Sequence, residues 1–382
     1  MPATKPIYLD HAATTPLDSR VLAAMQPYLT TQFYNPSATY LAGRAVRRAV
    51  ESARAGVAHW LGARPSEITF TAGGTEANNL AVHGIMAHYP GANLVTTTIE
   101  HDAVLAPAAV WPHKLAEVGP DGVVTVEAVE RLIDDQTVLV SVMYANNEIG
   151  TIQPLHRIAR MLEAKRKERR ASGNELPLLL HSDACQAALY LDLHAVRLGV
   201  DLLTINASKM YGPKQIGALY VKAGIVLEPV LYGGGQERGL RSGTENVAGI
   251  IGLAAALELA QTDRRQESDR LSNLQRLFVA ELEQAVPRVV INGSRKHRLP
   301  NNIHLTIPAA DNERLMMALD EAGIMVAVGS ACSASSGEPS HVLRAIGMTD
   351  EDARASLRLT MGHSTDEAAV RRTVAALAAL VA

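Results

Sequence analysis

The sequence predicts an α/β protein: a large, mostly parallel sheet of the seven-stranded type covered by helices, plus a smaller α+β domain. Three observations carry this. Short β-rich runs alternate with amphipathic helical stretches over the first two thirds of the chain, the order produced by βα units. Those runs are apolar throughout, as strands buried on both faces are. Beyond about residue 262 the pattern changes to a charged helix, "TDRRQESDRLSNLQRLFVAELEQAV", and then to short strands and further helices. The expected division is 15–261 for the large domain, with 1–14 and 262–382 forming the small one.

In chain order, "AVRRAVESARAGVAHWL" (45–61) spaces its apolar residues for one face of a helix. The buried run "EITFTAG" then opens into "GTEANN", where Gly74 and Thr75 begin another helix. Free backbone N–H groups and a hydroxyl there suit one phosphate, and a plain N-cap explains them equally well. "NLVTTTIE" ends at His101, and "TVLVSVMYA" ends at Asn146 and Asn147. "LHRIARMLEAKRKERR" reads as a surface helix whose basic end is solvated. "LPLLLHS" ends at Asp183 with Gln186 just beyond, and "VDLLTINAS" ends at Lys209. Asp183 is either a helix cap or a carboxylate awaiting a cationic partner. Lys209 either snorkels to solvent or serves as a Schiff-base amine.

Ligands of open α/β sheets bind at the carboxyl ends of the strands. A phosphate cup, a flat ring, a carboxylate and a lysine stand there on successive strands. Together they are what pyridoxal 5'-phosphate requires: an anchored phosphate, a covered ring, a protonated ring nitrogen and an aldehyde held as an imine.

The bulk numbers leave room for such an enzyme and exclude other classes. The 382 residues are 47 % hydrophobic and 20 % charged, and the net charge of −3 gives no case for direct nucleic-acid binding. No apolar run reaches the roughly 18 residues of a membrane span, and no apolar leader is seen. The two cysteines form no CxxC pair, so neither zinc nor a disulfide framework is expected. A reduced, cytoplasmic protein is the expectation. One cysteine, Cys332, stands in "GSACSASSGEPSH" among small residues that would not bury it, which leaves a working thiol and a bland loop cysteine both open.

The stretches "YLDHAATTP", "NNEIG", "SKMYGPKQIGALYV", "GGGQERGLRSGT" and "GSACSASSGEPSHVLRAIG" resemble those of the cysteine desulfurases. These are pyridoxal-phosphate enzymes of the class V aminotransferase group with fold type I architecture. The resemblance runs over nearly the whole chain, and the last stretch is similar to the long cysteine loop of the iron–sulfur-cluster type. It implies that L-cysteine is converted to L-alanine with a persulfide left on Cys332, the nucleophile. It implies that Lys209 holds the cofactor and moves the Cα proton, and that His101 covers the ring and assists proton transfers. Asp183 would pair with the ring nitrogen and Gln186 with the ring hydroxyl. Gly74 and Thr75, with Asn206 and Ser208, would bind the phosphate. Thr244 would reach the phosphate of a neighbouring subunit, so a homodimer with sites at its interface is expected. Arg358 and Asn147 would hold the substrate carboxylate, with Asn35 close by and Asn147 also beside the cofactor.

Three departures stand out. The family's Ser-x-His-Lys is here Asn206-Ala207-Ser208-Lys209, which keeps donors but lacks an imidazole. Cys185 replaces a frequent threonine and reads as a small packed thiol. His363 replaces a frequent arginine. The chain stops at "ALAALVA" without the tail typical of cluster-assembly desulfurases, so the expected sulfur acceptor is a cluster scaffold or a tRNA or DNA thiolation enzyme. The alternatives weighed are a cystine or selenocysteine β-lyase, which needs no protein thiol, and a catalytically weak scaffold homologue.

Overall fold

A computed structural model of the chain describes residues 6–328 and 338–382. Strand β1 (Ile7–Tyr8) leads to α1 (Ser19–Thr30), which starts where the Asp18 side chain accepts from Arg20 N. Helix α2 (Leu41–Leu61) buries Val46, Val50, Ala53, Val57, Ala58 and Leu61, the stripe that its spacing predicts. It stops at Gly62, whose φ of 62° lets its N–H turn back to the carbonyls of Ala58 and His59.

The large sheet follows through β2 (Ile68–Thr71), α3 (Gly74–His88), β3 (Asn93–Thr97), α4 (Asp102–Ala108) and β4 (His113–Ala116). It continues with α5 (Val126–Glu130), β5 (Thr137–Ser141), α6 (Leu155–Ala171), β6 (Leu179–Asp183), α7 (Ala195–Leu198), β7 (Leu202–Asn206) and β8 (Gly217–Val221). Its seven strands lie in the order β2-β8-β7-β6-β5-β3-β4. Strands β3 to β7 pair in parallel, and β8 runs antiparallel to both its neighbours. Two antiparallel steps point β2 the same way as β7, so their carboxyl ends share one edge. Every residue of β3, β5, β6 and β8 is buried, as the continuous apolar runs predict.

Helix α8 (Val247–Ala285) then extends over 39 residues. The expected domain boundary after residue 261 falls inside it, with no break in the helix. It buries Ala248, Ile250, Leu253, Ala256, Leu257 and Ala260 on one stretch and Leu271, Leu274, Phe278 and Leu282 on the next. The remainder comprises β9 (Val290–Ile291), β10 (Asn302–Thr306), α9 (Asn312–Glu321), β11 (Ile324–Met325), α10 (His341–Ala345), α11 (Asp350–Arg354), β12 (Ser356–Thr360) and α12 (Glu367–Val381). Strands β12-β10-β9 form an antiparallel sheet, and β1 pairs in parallel with β11. That pairing brings the first described residues beside the last third of the chain. Among the described residues no helix is long and apolar enough to cross a membrane.

Candidate active site

Because β2, β3, β5, β6 and β7 all end at one edge, the residues that follow them meet. Nine of the residues singled out in the sequence line one cavity of about 180 Å³: Gly74, Thr75, His101, Asn147, Asp183, Gln186, Asn206, Lys209 and Arg358. The first eight come from the large sheet, and Arg358 arrives from the middle of β12.

Lys209 ends a short 3-10 turn, Ala207–Lys209, and its Nζ donates to the carbonyls of Ala12 (2.8 Å) and Ala13 (2.5 Å). Burial pushes this amine below the usual lysine range, which raises the share of free amine at neutral pH. Asp183 is buried at the end of β6. Its Oδ2 accepts from Asn78 Nδ2 at 2.6 Å and its Oδ1 from Cys185 N at 2.9 Å, so the carboxylate is fixed in orientation. Burial of the Cys185 sulfur, then the charge of Asp183, pushes that thiol well up. It is therefore a packed neutral thiol, as its sequence context predicts.

His101 caps α4, its Nδ1 accepting from Ala103 N at 3.0 Å. This leaves the neutral ring with its proton on Nε2. Arg358 is 2 % exposed; Nη2 meets Asp10 Oδ1 at 2.7 Å and Nη1 donates to the carbonyl of Asn147 at 3.2 Å. Its Nε and the Oδ1 of Asn147 are buried with no hydrogen-bond partner among the described residues. Gln186 Nε2 donates to Ala12 O at 3.0 Å.

These residues fit pyridoxal phosphate. The backbone at the start of α3 is bare, with Gly73 at φ 131° followed by Gly74. A Cβ on Gly74 would lie 2.7 Å from Cys185 Sγ, so only glycine keeps these N–H groups open to an anion. Two orphaned polar atoms, a lysine of lowered pKa and a fixed carboxylate complete the donor set.

Three expected residues stand apart from the cavity. Ser208 turns its hydroxyl to Asn206 Oδ1 at 3.2 Å. Thr244 and Asn35 are exposed, and Asn35 Oδ1 accepts from Ser37 N. Cys332 lies outside the described residues. His363 stacks on Tyr211, with ring centroids 3.8 Å apart and planes 8° from parallel, which accounts for a flat ring at that position.

Sequence reasoning missed Asn78, the partner of Asp183. It also gave no role to the segment Asp10–Ala13, which holds Arg358 and Lys209. The signal was present in both cases: Asn78 lies one turn into "GTEANN", and Asp10–Ala13 is the centre of "YLDHAATTP".

The family described as Aminotransferase class-V matches residues 7–372. A relative from Dictyoglomus turgidum, named cysteine desulfurase IscS, is 40 % identical over 98 % of this chain and 94 % of its own. Among solved structures, a NifS-like protein superposes with a TM-score of 0.90 at 32 % identity, covering 98 % of this chain and 99 % of its own. The structure of SspA in complex with cysteine matches with a TM-score of 0.81 at 32 % identity, covering 94 % of this chain and 99 % of its own.

Proposed function

We infer the reaction from one premise: the chain belongs to the aminotransferase class-V family. It is a pyridoxal-phosphate-dependent cysteine desulfurase of fold type I, which converts L-cysteine to L-alanine and leaves the sulfur as a persulfide on Cys332. The observation that carries this reading is the convergence of Lys209, Asp183 and Arg358 on one cavity, with a similar protein known to hold cysteine.

When bound, pyridoxal phosphate supplies an aldehyde for the amino group and a ring that accepts the electron pair released at Cα. The chain's own residues do the rest. The start of α3, at Gly74 and Thr75, holds the phosphate, aided by Asn206. Asp183, fixed by Asn78 and the Cys185 N–H, keeps the ring nitrogen protonated. The Arg358 guanidinium holds the substrate carboxylate, its Nε donating the hydrogen bond it otherwise lacks, and Asn147 donates to the same carboxylate through its amide N–H₂. Lys209, whose burial favours the uncharged amine, takes the Cα proton and later returns one. His101 covers the ring and offers its Nε2 proton. The Cys332 thiolate bonds to the substrate sulfur as the carbon–sulfur bond breaks, and that bonding pair stays with the carbon skeleton that becomes alanine.

The finer assignments belong to the same reading. A second copy of the chain completes the site, Thr244 reaching the phosphate across the dimer. Exposed Phe33, Tyr40, Leu41 and Tyr232 support this, the last two being 81 % and 82 % exposed. Ser208 steadies Asn206, and Asn35 lies near the substrate in the assembled pair. The persulfide passes to an acceptor protein of iron–sulfur assembly or of tRNA or DNA thiolation, in the cytoplasm.

The test uses purified protein with L-cysteine and a thiol reductant. Equal amounts of alanine and sulfide are expected, and after brief exposure to cysteine without the reductant, one extra sulfur atom on the Cys332 peptide. Pyruvate and ammonia in place of alanine would establish a β-lyase and overturn this reading.

A further inference from the structure

The two residues that enter α10 grip the pocket wall from behind. Ser340 Oγ donates to Glu148 Oε2 at 2.6 Å, with Glu148 1 % and Ser340 6 % exposed. The same hydroxyl caps α10, accepting from Val342 N at 3.1 Å and Leu343 N at 3.4 Å. The next residue, His341, donates from Nε2 to the carbonyl of Glu100 at 2.9 Å. Glu148 and Glu100 are the immediate chain neighbours of Asn147 and His101, both of which line the cavity.

The wall side of this grip is itself hydrogen-bonded. Glu148 N and Ile149 N both donate to Asn146 Oδ1, and Asn302 Nδ2 donates to the Glu148 carbonyl. Beneath it, Val342, Leu343 and Ile346 of the α10 segment pack with Ile99, Met143 and Ile149 in a small apolar cluster of their own. That cluster holds α10 against the strand ends, and the two polar contacts set its register. A buried carboxylate such as Glu148 needs a donor, and Ser340 supplies one.

Ser340 and His341 are also the chain's return from the segment that carries Cys332. We propose that Glu148, through Ser340, is a positioning residue for sulfur transfer: it seats the start of α10 against the wall formed by Asn147, and so sets where the Cys332 thiol works. This rests on the desulfurase reading for its catalytic meaning, while the contact can be probed without turnover.

The experiment compares Ser340→Asp, Glu148→Gln and the double variant with the wild type. Aspartate caps a helix as well as serine does, so Ser340→Asp keeps the cap but sets a second carboxylate against Glu148. In the double variant the introduced glutamine amide can donate to the introduced aspartate. Cofactor absorbance, KM for cysteine and kcat for alanine are measured. The alkylation rate of Cys332 by iodoacetamide is followed by peptide mass spectrometry without cysteine present. Ser340→Asp should lower kcat at least about tenfold while KM and cofactor content stay within about twofold, since misplacement of a reacting group acts on kcat. The alkylation rate should change by about threefold or more, and the double variant should bring both rates back to within about threefold of wild type. Wild-type behaviour of Ser340→Asp would reduce Ser340 to a helix cap and overturn the proposal. So would a loss that persists undiminished in the double variant. If the wild type makes no alanine, the desulfurase reading fails separately, and the alkylation rates still decide whether the contact positions Cys332.

Discussion

One methyl group at Gly74 tests the anion cup directly. A Cβ there would lie 2.7 Å from Cys185 Sγ, 3.4 Å from Asn206 Cβ and 3.5 Å from Asn206 Nδ2. The two Asn206 contacts are ordinary, whereas the sulfur contact is short by about 1 Å against a comfortable non-bonded separation. Sγ can relieve the clash only by swinging aside in its packed place beside Asp183. Otherwise the start of α3 must shift. Overpacking of this size costs ~1–3 kcal/mol. In the empty pocket that strain can relax through the backbone. With phosphate oxygens bonded to the same N–H groups it cannot, so the cost falls on cofactor affinity. Gly74→Ala should therefore raise the dissociation constant for pyridoxal phosphate about 5- to 150-fold, read by titrating apoprotein and following the absorbance of the bound cofactor. Removing the sulfur should remove the clash: in a Cys185→Ala background the same methyl should cost less than about threefold. An equal loss in both backgrounds would refute the steric argument and show that the methyl acts on the phosphate itself.

Lys209→Ala should abolish the borohydride-reducible imine and all turnover, because Lys214 Nζ is held by the Thr15 carbonyl and does not line the cavity; a surviving imine would reassign the lysine. Cys332→Ser should still bind L-cysteine, seen as a change in cofactor absorbance, yet transfer no sulfur, whereas Cys185→Ser should keep most activity; a persulfide on Cys185 would reverse these roles. Glu100 is fully buried, with Oε1 accepting from Thr97 Oγ1 and Met143 N and Oε2 without a partner among the described residues, and burial pushes it up to about 8. The native carboxyl keeps its proton up to that pH while the unfolded one releases it near 4.5, so wild-type stability falls as pH rises between them, by up to ~1.4 kcal/mol per pH unit. Glu100→Gln does not titrate, and urea unfolding from pH 5 to 8 should show a flatter stability curve; equal slopes would count against the shift.

The strands that could be read in the sequence are those buried on both faces. "NLVTT", "LLLHSD" and "GALYV" announce themselves because every position must be apolar or satisfied. Strand β4 could not be read that way: it is the sheet's edge, and His113 and Leu115 are exposed while Ala116 is buried. The antiparallel course of β8 was equally hidden, since a buried strand has the same composition in either direction. In the site, residues at strand ends were legible because an unpaired polar group after an apolar run calls for an explanation. Asn78 was not, since it lies inside a helix, where an asparagine raises no question until Asp183 is found 2.6 Å away. The backbone carbonyls of Ala12 and Ala13 carry no side-chain signal of their partnership with Lys209. Thr244 and Asn35 were drawn from family likeness, and nothing in one chain brings them to the cavity.

The ion pair between Asp10 and Arg358 spans 348 positions of sequence, and Lys209 leans on carbonyls that sit two and three residues beyond that aspartate. A growing chain therefore exposes its reactive lysine and its phosphate cup long before the strand bearing Arg358 leaves the ribosome. Until then the N-terminal segment lacks the ion-pair partner of its Asp10. Since contacts this remote in sequence form late, the competent pocket is a product of finished synthesis. Fragments released early by premature termination would carry every large-sheet residue of the site and still lack the cation for the substrate carboxylate.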